Sequence, residues 1–218
     1  MPYRKISFVN NYFYHVFNRG VEKRDIFTSD VDRSRFLKTL LYYQLEGPRP
    51  KFSKFNPDIH KNLKTSKIVD IISYCLMPNH FHLLLRQVKN KGISEFLSKV
   101  INSYTKYLNT KYQRVGHLFQ GAFKVVQVTS DEQLIHLSRY IHLNPFVSGL
   151  TKDPTIYQWS SYQEFLGIKD ENTIEKQEIL NFFISTDDYK NFILDHQDYA
   201  KTLYLIKHQL LEDVLDRS

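Results

Sequence analysis

The chain has 218 residues, of which 42% are hydrophobic and 15% aromatic, enough for a packed core in one domain or two small ones. Its single cysteine, Cys75, excludes an internal disulfide bond and fits a reducing compartment. There is no run of about 18 apolar residues and no apolar export signal near residue 1, so we expect a cytoplasmic protein that does not enter a membrane.

The charge is unevenly distributed along the chain. Residues 1–150 contain 23 Lys and Arg against 10 Asp and Glu, whereas residues 151–218 contain 7 against 13. A basic body favours a polyanionic partner, although a solvated basic surface explains the charge equally well. We therefore predict a basic domain over residues 1–150 and a C-terminal extension over residues 151–218.

The first elements in chain order are a strand and a helix. Residues 12–18, YFYHVFN, are aromatic and β-branched, which is typical of a strand. Residues 29–43 carry apolar side chains at helical spacing, with Ser29 or Asp30 as the N-cap. Residues 46–66 hold three prolines and many lysines without periodicity, which indicates a long mobile loop.

A hairpin, the clearest helix and a further strand follow. Residues 68–77 and 81–87 are apolar runs separated by a tight Pro-Asn turn, so we predict two paired strands. Residues 93–112 place their apolar side chains in one stripe, which predicts an amphipathic helix. Residues 122–128, AFKVVQV, predict the fourth strand.

A last helix completes the basic domain. Ser130 begins a capping box, and the helix is expected to run until Pro145 stops it. The order of the first six elements predicts an α+β fold of the ferredoxin-like βαββαβ type, an antiparallel sheet with helices on one face. The helix after Ser130 is additional to this fold. The extension, with its WSSY segment and acidic residues 174–216, is expected to form a helical tail.

The hairpin carries the first candidate chemistry. His80 and His82 are two residues apart on a strand, so their imidazoles point to the same side while Phe81 points into the core. Two neighbouring neutral imidazoles are suitable metal ligands. Two histidines on a solvated strand face are the more common interpretation of this spacing alone.

Tyr140 and Asn144 lie one turn apart at the margin of the buried stripe of the last helix. A tyrosine there is usually a core-edge residue, and an asparagine before a proline often marks a helix end. Taken together with the histidines, however, they describe a site. A metal held by His80, His82 and the Asn144 amide oxygen would polarise a phosphodiester, and Tyr140 would attack it. A phenol of pKa near 10 needs positive charge nearby, from the metal and from Arg139 or Lys124.

At this point the sequence resembles a known family. MPNHFHLLL resembles the His-hydrophobic-His motif of the single-tyrosine HUH transposases. NRGVEKRDIF, VGHLFQGAFK, RYIHLNP and WSSYQEFLG then follow in the order found in REP-associated tyrosine transposases. The resemblance implies a ferredoxin-like enzyme that cuts and rejoins single-stranded DNA near hairpins through a 5′-phosphotyrosine intermediate. It implies Tyr140 as nucleophile, His80, His82 and Asn144 as ligands, and Mg²⁺ or Mn²⁺ as the ion.

Contacts with DNA are the least specific expectation. Basic and polar side chains of the motif loops are candidates for phosphate contacts, and Phe119, Tyr14 and Phe123 could stack on unpaired bases. The candidate DNA-binding residues are Arg19, Arg24, Arg114, His117, Phe119, Lys124 and Arg139. The family often has basic residues where this chain has Ala122 and Val147, so the bound sequence is not transferred.

Three functions remain open on the sequence alone. The leading hypothesis is the metal-dependent DNA transesterase, and the alternative is a hairpin-binding protein that has lost cleavage. The third is a zinc site made by the histidine pair and a carboxylate, which no H-E-x-x-H or Cys-x-x-Cys spacing supports. The sequence leaves a monomer and a homodimer equally open, because the tyrosine could serve its own chain or a partner. His15 and His142 are interpreted as ordinary buried histidines.

Overall fold

The computed structural model describes residues 7–47, 52, 66–169 and 173–195. The predicted loop over residues 46–66 and the end of the acidic tail lie largely outside these residues. Within them, the order of strands and helices confirms the predicted α+β fold. The elements are β1 (Phe13–Arg19), α1 (Asp30–Tyr43), β2 (Val69–Met77), β3 (His80–Gln87), α2 (Gly92–Lys111), β4 (Lys124–Gln127), α3 (Asp131–Val147), α4 (Tyr162–Phe165), α5 (Gln177–Leu180) and α6 (Thr186–Leu194).

The four described strands form one antiparallel sheet in the order β2-β3-β1-β4. This order follows from the βαββαβ pattern, because the β2–β3 hairpin places β3 beside β1. Phe17 is opposite His82 on one side and Lys124 on the other, and Arg19 is opposite His80. Since opposed residues share a face, the register decides which side chains of distant segments meet.

Helices α1 and α2 cover one face of the sheet. Ser29 caps α1 by accepting a hydrogen bond from the Asp32 backbone N–H, as predicted. The ring of Phe81 from β3 packs against Phe36 of α1 at 5.1 Å, and Phe36 packs against Tyr104 of α2 at 4.9 Å. All three side chains are fully buried. The apolar stripe of α2 and the inward residues of the strands therefore make the main core.

Helix α3 covers the opposite face, since its Tyr140 contacts the ring of His82, which points away from Phe81. Ser130 caps this helix by accepting from the Gln133 backbone N–H. The prediction that Pro145 stops the helix is wrong, because α3 continues to Val147 with Pro145 inside it. A proline in the last turn removes one backbone hydrogen bond, and Ser148 N–H still donates to the Asn144 carbonyl.

The C-terminal extension packs against the free edge of β2. Leu76 N–H donates to the Trp159 carbonyl at 2.9 Å, and Ser161 N–H donates to the Tyr74 carbonyl at 3.0 Å. Further along, Glu175 N–H donates to the Ile71 carbonyl at 2.8 Å. These bonds cover an edge that would otherwise expose unpaired backbone groups. No helix in the described residues is long and apolar enough to cross a membrane.

Candidate active site

Strand β3 begins directly after the Pro-Asn turn and sets out the two histidines on the α3 face. The His80 and His82 rings lie 5.0 Å apart between centroids, and His82 is 4% exposed while His80 is half-buried. Phe81 between them is buried in the main core on the other side. The alternation of the strand therefore separates the imidazole pair from the core, as predicted.

Helix α3 brings Tyr140 to these histidines within the same chain. The phenol ring lies edge-on to His82 with centroids 5.4 Å apart, and edge-on to His15 of β1 at 6.1 Å. Tyr140 is half-buried, at the margin between the sheet and solvent. No second copy is needed to bring a tyrosine to this imidazole pair.

Each histidine of the pair has its Nδ1 in a hydrogen bond. His80 Nδ1 lies 2.6 Å from the Asn79 side-chain oxygen, and His82 Nδ1 lies 2.9 Å from His15 Nε2. The Asn79 oxygen accepts only, so His80 Nδ1 is the donor and its Nε2 holds the lone pair. Donation from His82 Nδ1 to His15 leaves the same arrangement on His82. This is the tautomer that a histidine needs in order to bind a metal through Nε2.

Asn144 lies one turn after Tyr140 on α3, and its side chain is a buried amide. It is 1% exposed, yet neither its Oδ1 nor its Nδ2 has a hydrogen-bond partner among the described residues. A buried amide without partners requires an explanation, and an ion bound at the oxygen is one. Within the described part of the chain, no three His, Cys, Asp or Glu side chains form a metal group, so a carboxylate does not complete the histidine pair. The residues present thus fit a cation held by two imidazoles and an amide oxygen.

Two cations share the sheet face of the histidines. Arg19 is opposite His80 in the register, and Lys124 is one strand further out, opposite Phe17. Both side chains are half-buried. Arg19 donates to the Gln120 side-chain oxygen at 3.3 Å, while its Nε is buried without a partner among the described residues. The positive charge suits a phosphate at this face.

Comparison with known families decides the identity. The family described as "Transposase IS200 like" matches residues 8–144, which is more than half of the chain and contains both histidines, Tyr140 and Asn144. The chain belongs to the IS200-like transposase family. This finding confirms the resemblance seen in the motifs. No curated protein matches the chain.

Two solved structures are similar to this IS200-like transposase. The first is "Structure of the REP associates tyrosine transposase bound to a REP hairpin", with 12% identity and a TM-score of 0.54, covering 80% of this chain and 97% of that chain. It supports the fold assignment. The second is a Deinococcus radiodurans R1 protein provisionally described as a transposase, with 16% identity and a TM-score of 0.35, covering 64% and 95%.

Several predicted DNA contacts of this transposase are placed elsewhere. Arg139 is 5% exposed, and its guanidinium stacks on Phe192 of α6 at 3.9 Å and donates to the Phe192 carbonyl. Phe119 is 5% exposed and packs on Phe81, and Tyr14 is fully buried. Arg139, Phe119 and Tyr14 are thus part of the packed interior. DNA contact by Arg139 and base stacking by Phe119 and Tyr14 stay predictions, which this burial disfavours.

The other predicted contacts keep some access to solvent. Arg24 is half-exposed and donates to the Glu22 carboxylate at 2.6 Å, which reduces its free charge. His117 is exposed, Arg114 is half-buried in the loop after α2, and Phe123 is half-buried beside β4. These residues stay candidates, with Arg19 and Lys124 the best placed because they share the face of the histidine pair.

One histidine that the motifs did not single out, His15, belongs to the surroundings of the site. His15 contacts His82 and Tyr140, and Phe17 packs beside both imidazoles at 5.0 and 5.8 Å. The alternation His15, Phe17, Arg19 along β1 was the available signal, but its use required the register with β3. His142 is fully buried on α3, and this burial lowers its pKa to about 3, so it is neutral.

Proposed function

We propose that the chain cuts and rejoins single-stranded DNA, with Tyr140 as the nucleophile. The observation that supports this most directly is the contact of the Tyr140 ring with His82, beside His80, on one sheet face of an IS200-like transposase. A helix-borne phenol and a strand-borne imidazole pair at one point suit attack on a phosphodiester.

The reaction exchanges one phosphodiester for another. The Tyr140 oxygen attacks the phosphorus, the bond from phosphorus to the 3′ oxygen breaks, and the DNA 5′ phosphate becomes linked to the tyrosine. The phenol proton is lost to solvent, and the departing 3′ oxygen takes up a proton to give a free hydroxyl. Rejoining is the reverse attack by a 3′ hydroxyl on the phosphotyrosine. Because the bonds formed and broken are of the same kind, no nucleotide hydrolysis is required.

His80, His82 and Asn144 are the proposed holders of a divalent cation, Mg²⁺ or Mn²⁺. Such an ion, when bound, polarises the phosphate and stabilises negative charge on the phenolate. Asn79 and His15 orient the two imidazoles through their Nδ1 atoms, so that the lone pairs stand on Nε2. Arg19 and Lys124 contribute positive charge on the same face, which attracts the DNA backbone.

The proposed substrate is a single strand that carries a hairpin. The basic balance of residues 1–150 favours a polyanion, and the similar solved structure is that of a tyrosine transposase bound to a REP hairpin. Hairpin binding without cleavage is the competing function, and it predicts the same affinity with no covalent product.

The test is to trap the covalent intermediate. Purified protein is incubated with a fluorescent hairpin oligonucleotide and Mg²⁺ or Mn²⁺, and the protein–DNA adduct is measured on a denaturing gel. We expect an adduct in the wild type and in Tyr12→Phe, which removes a hydroxyl from an exposed tyrosine. Tyr140→Phe should form none while its affinity for the hairpin changes by less than about twofold.

Two outcomes would count against this proposal. An undiminished adduct in Tyr140→Phe would show that another residue is the nucleophile. Tight hairpin binding by the wild type without any adduct, even with Mn²⁺, would favour the binding protein that has lost cleavage.

A further inference from the structure

Buried polar side chains form a hydrogen-bonded network, here called the polar network, on the side of α3 opposite Tyr140. Ser138 and His142 both belong to α3, and His142 is displaced by about 200° around the helix from Tyr140 and from Asn144. His142 Nε2 lies 2.8 Å from the Ser161 hydroxyl, and its Nδ1 lies 2.8 Å from the Tyr189 hydroxyl. All these side chains except those at the site are fully buried.

One set of donor and acceptor roles gives every polar side-chain atom of this network a hydrogen bond. The Ser161 hydroxyl donates to His142 Nε2, and His142 Nδ1–H donates to the Tyr189 oxygen. The Tyr189 hydroxyl donates to Ser138 at 3.2 Å, and the Ser138 hydroxyl donates to the Ile135 carbonyl at 2.7 Å. In this arrangement each hydrogen is used once. The Ser161 hydroxyl also lies 3.2 Å from the Tyr74 carbonyl, and donation to that carbonyl would require the other tautomer of His142. Fully satisfied buried networks favour one arrangement of the elements that they join.

Ser161, at one end of the polar network, is bonded to the sheet at the level of the histidine pair. The Ser161 hydroxyl accepts from the Tyr74 backbone N–H at 2.9 Å, in addition to the backbone bond between the same residues. Tyr74 precedes Cys75, which is directly opposite His82 in the β2–β3 register. The bond from His142 to Ser161 therefore ties α3 to the strand beside β3, one residue from the partner of His82.

The other end of the polar network belongs to α6. Tyr189 lies on α6, and its ring stacks on Phe165 of α4 at 5.1 Å. One turn before His142 on α3, Arg139 adds a second link to α6 through its stacking on Phe192. The extension thus contacts α3 from two sides, through residue 161 at the sheet edge and through α6.

We propose that the polar network Ser161–His142–Tyr189 positions the tyrosine helix α3. Tyr140 then serves the histidines of the same polypeptide chain. The three are positioning residues, since none of them touches the proposed phosphate site. The inference rests on the proposed function of Tyr140, and it assigns a role to the WSSY segment and to α6. It also implies a complete active site in each chain, without exchange of α3 between two copies.

A matched pair of substitutions tests the proposal. Tyr189→Phe removes the hydroxyl that His142 binds. Tyr162 is the control: it is fully buried, and its ring stacks on His142 with centroids 5.2 Å apart. Tyr162→Phe removes a hydroxyl that has no hydrogen-bond partner among the described residues. Ser161→Ala removes the hydroxyl that bonds to His142 and leaves the backbone hydrogen bonds in place. It replaces Tyr189→Phe as the test variant if Tyr189→Phe does not fold.

Hydrogen exchange and single-turnover kinetics are the two measurements. In Tyr189→Phe and Ser161→Ala we expect the α3 amides to exchange about tenfold faster than in Tyr162→Phe. Adduct formation at saturating hairpin DNA should be about 10- to 100-fold slower, because small displacements of a nucleophile have effects of this size. The Kd for the hairpin should not change. Equal loss of binding and rate would indicate a merely structural role and overturn the proposal.

Mixing two inactive variants tests the cis arrangement. Tyr140→Phe keeps the histidine pair and His80→Ala keeps the tyrosine, so exchange of α3 between chains would restore adduct formation in the mixture. We expect no restoration, and restored activity would overturn the proposal. Absence of an adduct in the wild type would refute the function of Tyr140 alone. Hydrogen exchange then tests the polar network independently of activity. Unchanged hydrogen-exchange rates of the α3 amides in Tyr189→Phe would refute its positioning role.

Discussion

The two faces of the sheet are made from alternate residues of the same strands, yet their contents are very different. On the α1–α2 face, Val16 and Phe81 are fully buried among apolar side chains. On the α3 face, the neighbouring positions hold His15, His80 and His82, and the Tyr140 phenol contacts the rings of His15 and His82. The core of the first face is mainly apolar, whereas the second face collects groups that can bind a cation or a phosphate.

This difference indicates how the fold tolerates an unfavourable site. Among the described residues, the buried Asn144 amide and Arg19 Nε have no hydrogen-bond partner, and each such group costs free energy. The apolar face and the bonds of the C-terminal extension stabilise the elements that carry these groups. Stability and proposed chemistry are thus separated by one residue along each strand, which makes them separable by mutation.

The largest expected effect comes from substituting neighbours on the two faces. Phe81→Ala leaves a cavity against Phe36 and Phe119, so we expect the free energy of unfolding to fall by about 3–5 kcal/mol. Urea denaturation measures this change. The matched variant is His80→Ala, which should alter stability by less than about 1 kcal/mol but abolish the adduct. If His80→Ala proves as destabilised as Phe81→Ala, the two faces do not divide stability and chemistry.

A smaller effect is expected from His15, which supports the site from β1. His15→Phe removes the hydrogen-bond partner of His82 Nδ1, so we expect Mn²⁺ affinity to fall about 10- to 100-fold. Electron paramagnetic resonance of free Mn²⁺ measures this without DNA or turnover. Phe17→Leu is the control, because Phe17 packs against both imidazoles but offers no polar atom. Equal losses in the two variants would mean that packing, and not the hydrogen bond, orients His82.

A pH-dependent effect is expected on the α1–α2 face, at Asp32. Burial acts to raise the pKa of this fully buried carboxylate, but hydrogen bonds from Lys111, Thr28, Tyr112 and Tyr107 outweigh burial and hold the pKa well below its usual range. A lowered native pKa stabilises the fold above the unfolded pKa of about 4, and this contribution is lost as the pH falls below it.

We therefore expect Asp32→Asn to lower the free energy of unfolding by about 2 kcal/mol at pH 7. The difference from wild type should narrow as the pH falls from about 5 towards 2. Urea denaturation across this range measures it, with Asp131→Asn as the control, since Asp131 is an exposed first-turn residue of α3. A difference that is constant with pH would contradict the account, because it would not depend on ionisation of Asp32.

Local patterns were sufficient to predict most of the fold. The predicted strand over residues 81–87 and helix over 93–112 differ from β3 and α2 by one residue at each changed end. The face of His80 and His82 also followed from strand alternation. The position of His15 could not be predicted, because its contact with His82 joins residues 67 positions apart and depends on the β1–β3 register.

The burial of two candidate DNA contacts, Arg139 and Phe119, could not be predicted for a related reason. Arg139 follows a helical pattern that places it near Tyr140, and without α6 it would be an exposed cation. Burial of Arg139 depends on Phe192, which lies in the extension that no motif of the site includes. Phe119 likewise occurs in a motif loop, and its packing on the core residue Phe81 depends on a contact that the motif does not show.

The smallest expected effect concerns two lysines on opposite sides of the sheet. Lys124→Ala removes a cation from the face of His82, so the slope of log Kd against log salt for a single strand should decrease by about 0.7. Lys99→Ala removes the same charge from α2, where Lys99 donates to Glu95 at 2.6 Å, and should leave the slope unchanged. Fluorescence anisotropy with one hairpin oligonucleotide from 50 to about 300 mM salt measures both. Equal slopes for the two variants would show that the DNA does not distinguish the faces, and the strand would then have to be bound by the overall charge rather than by the side that carries Tyr140.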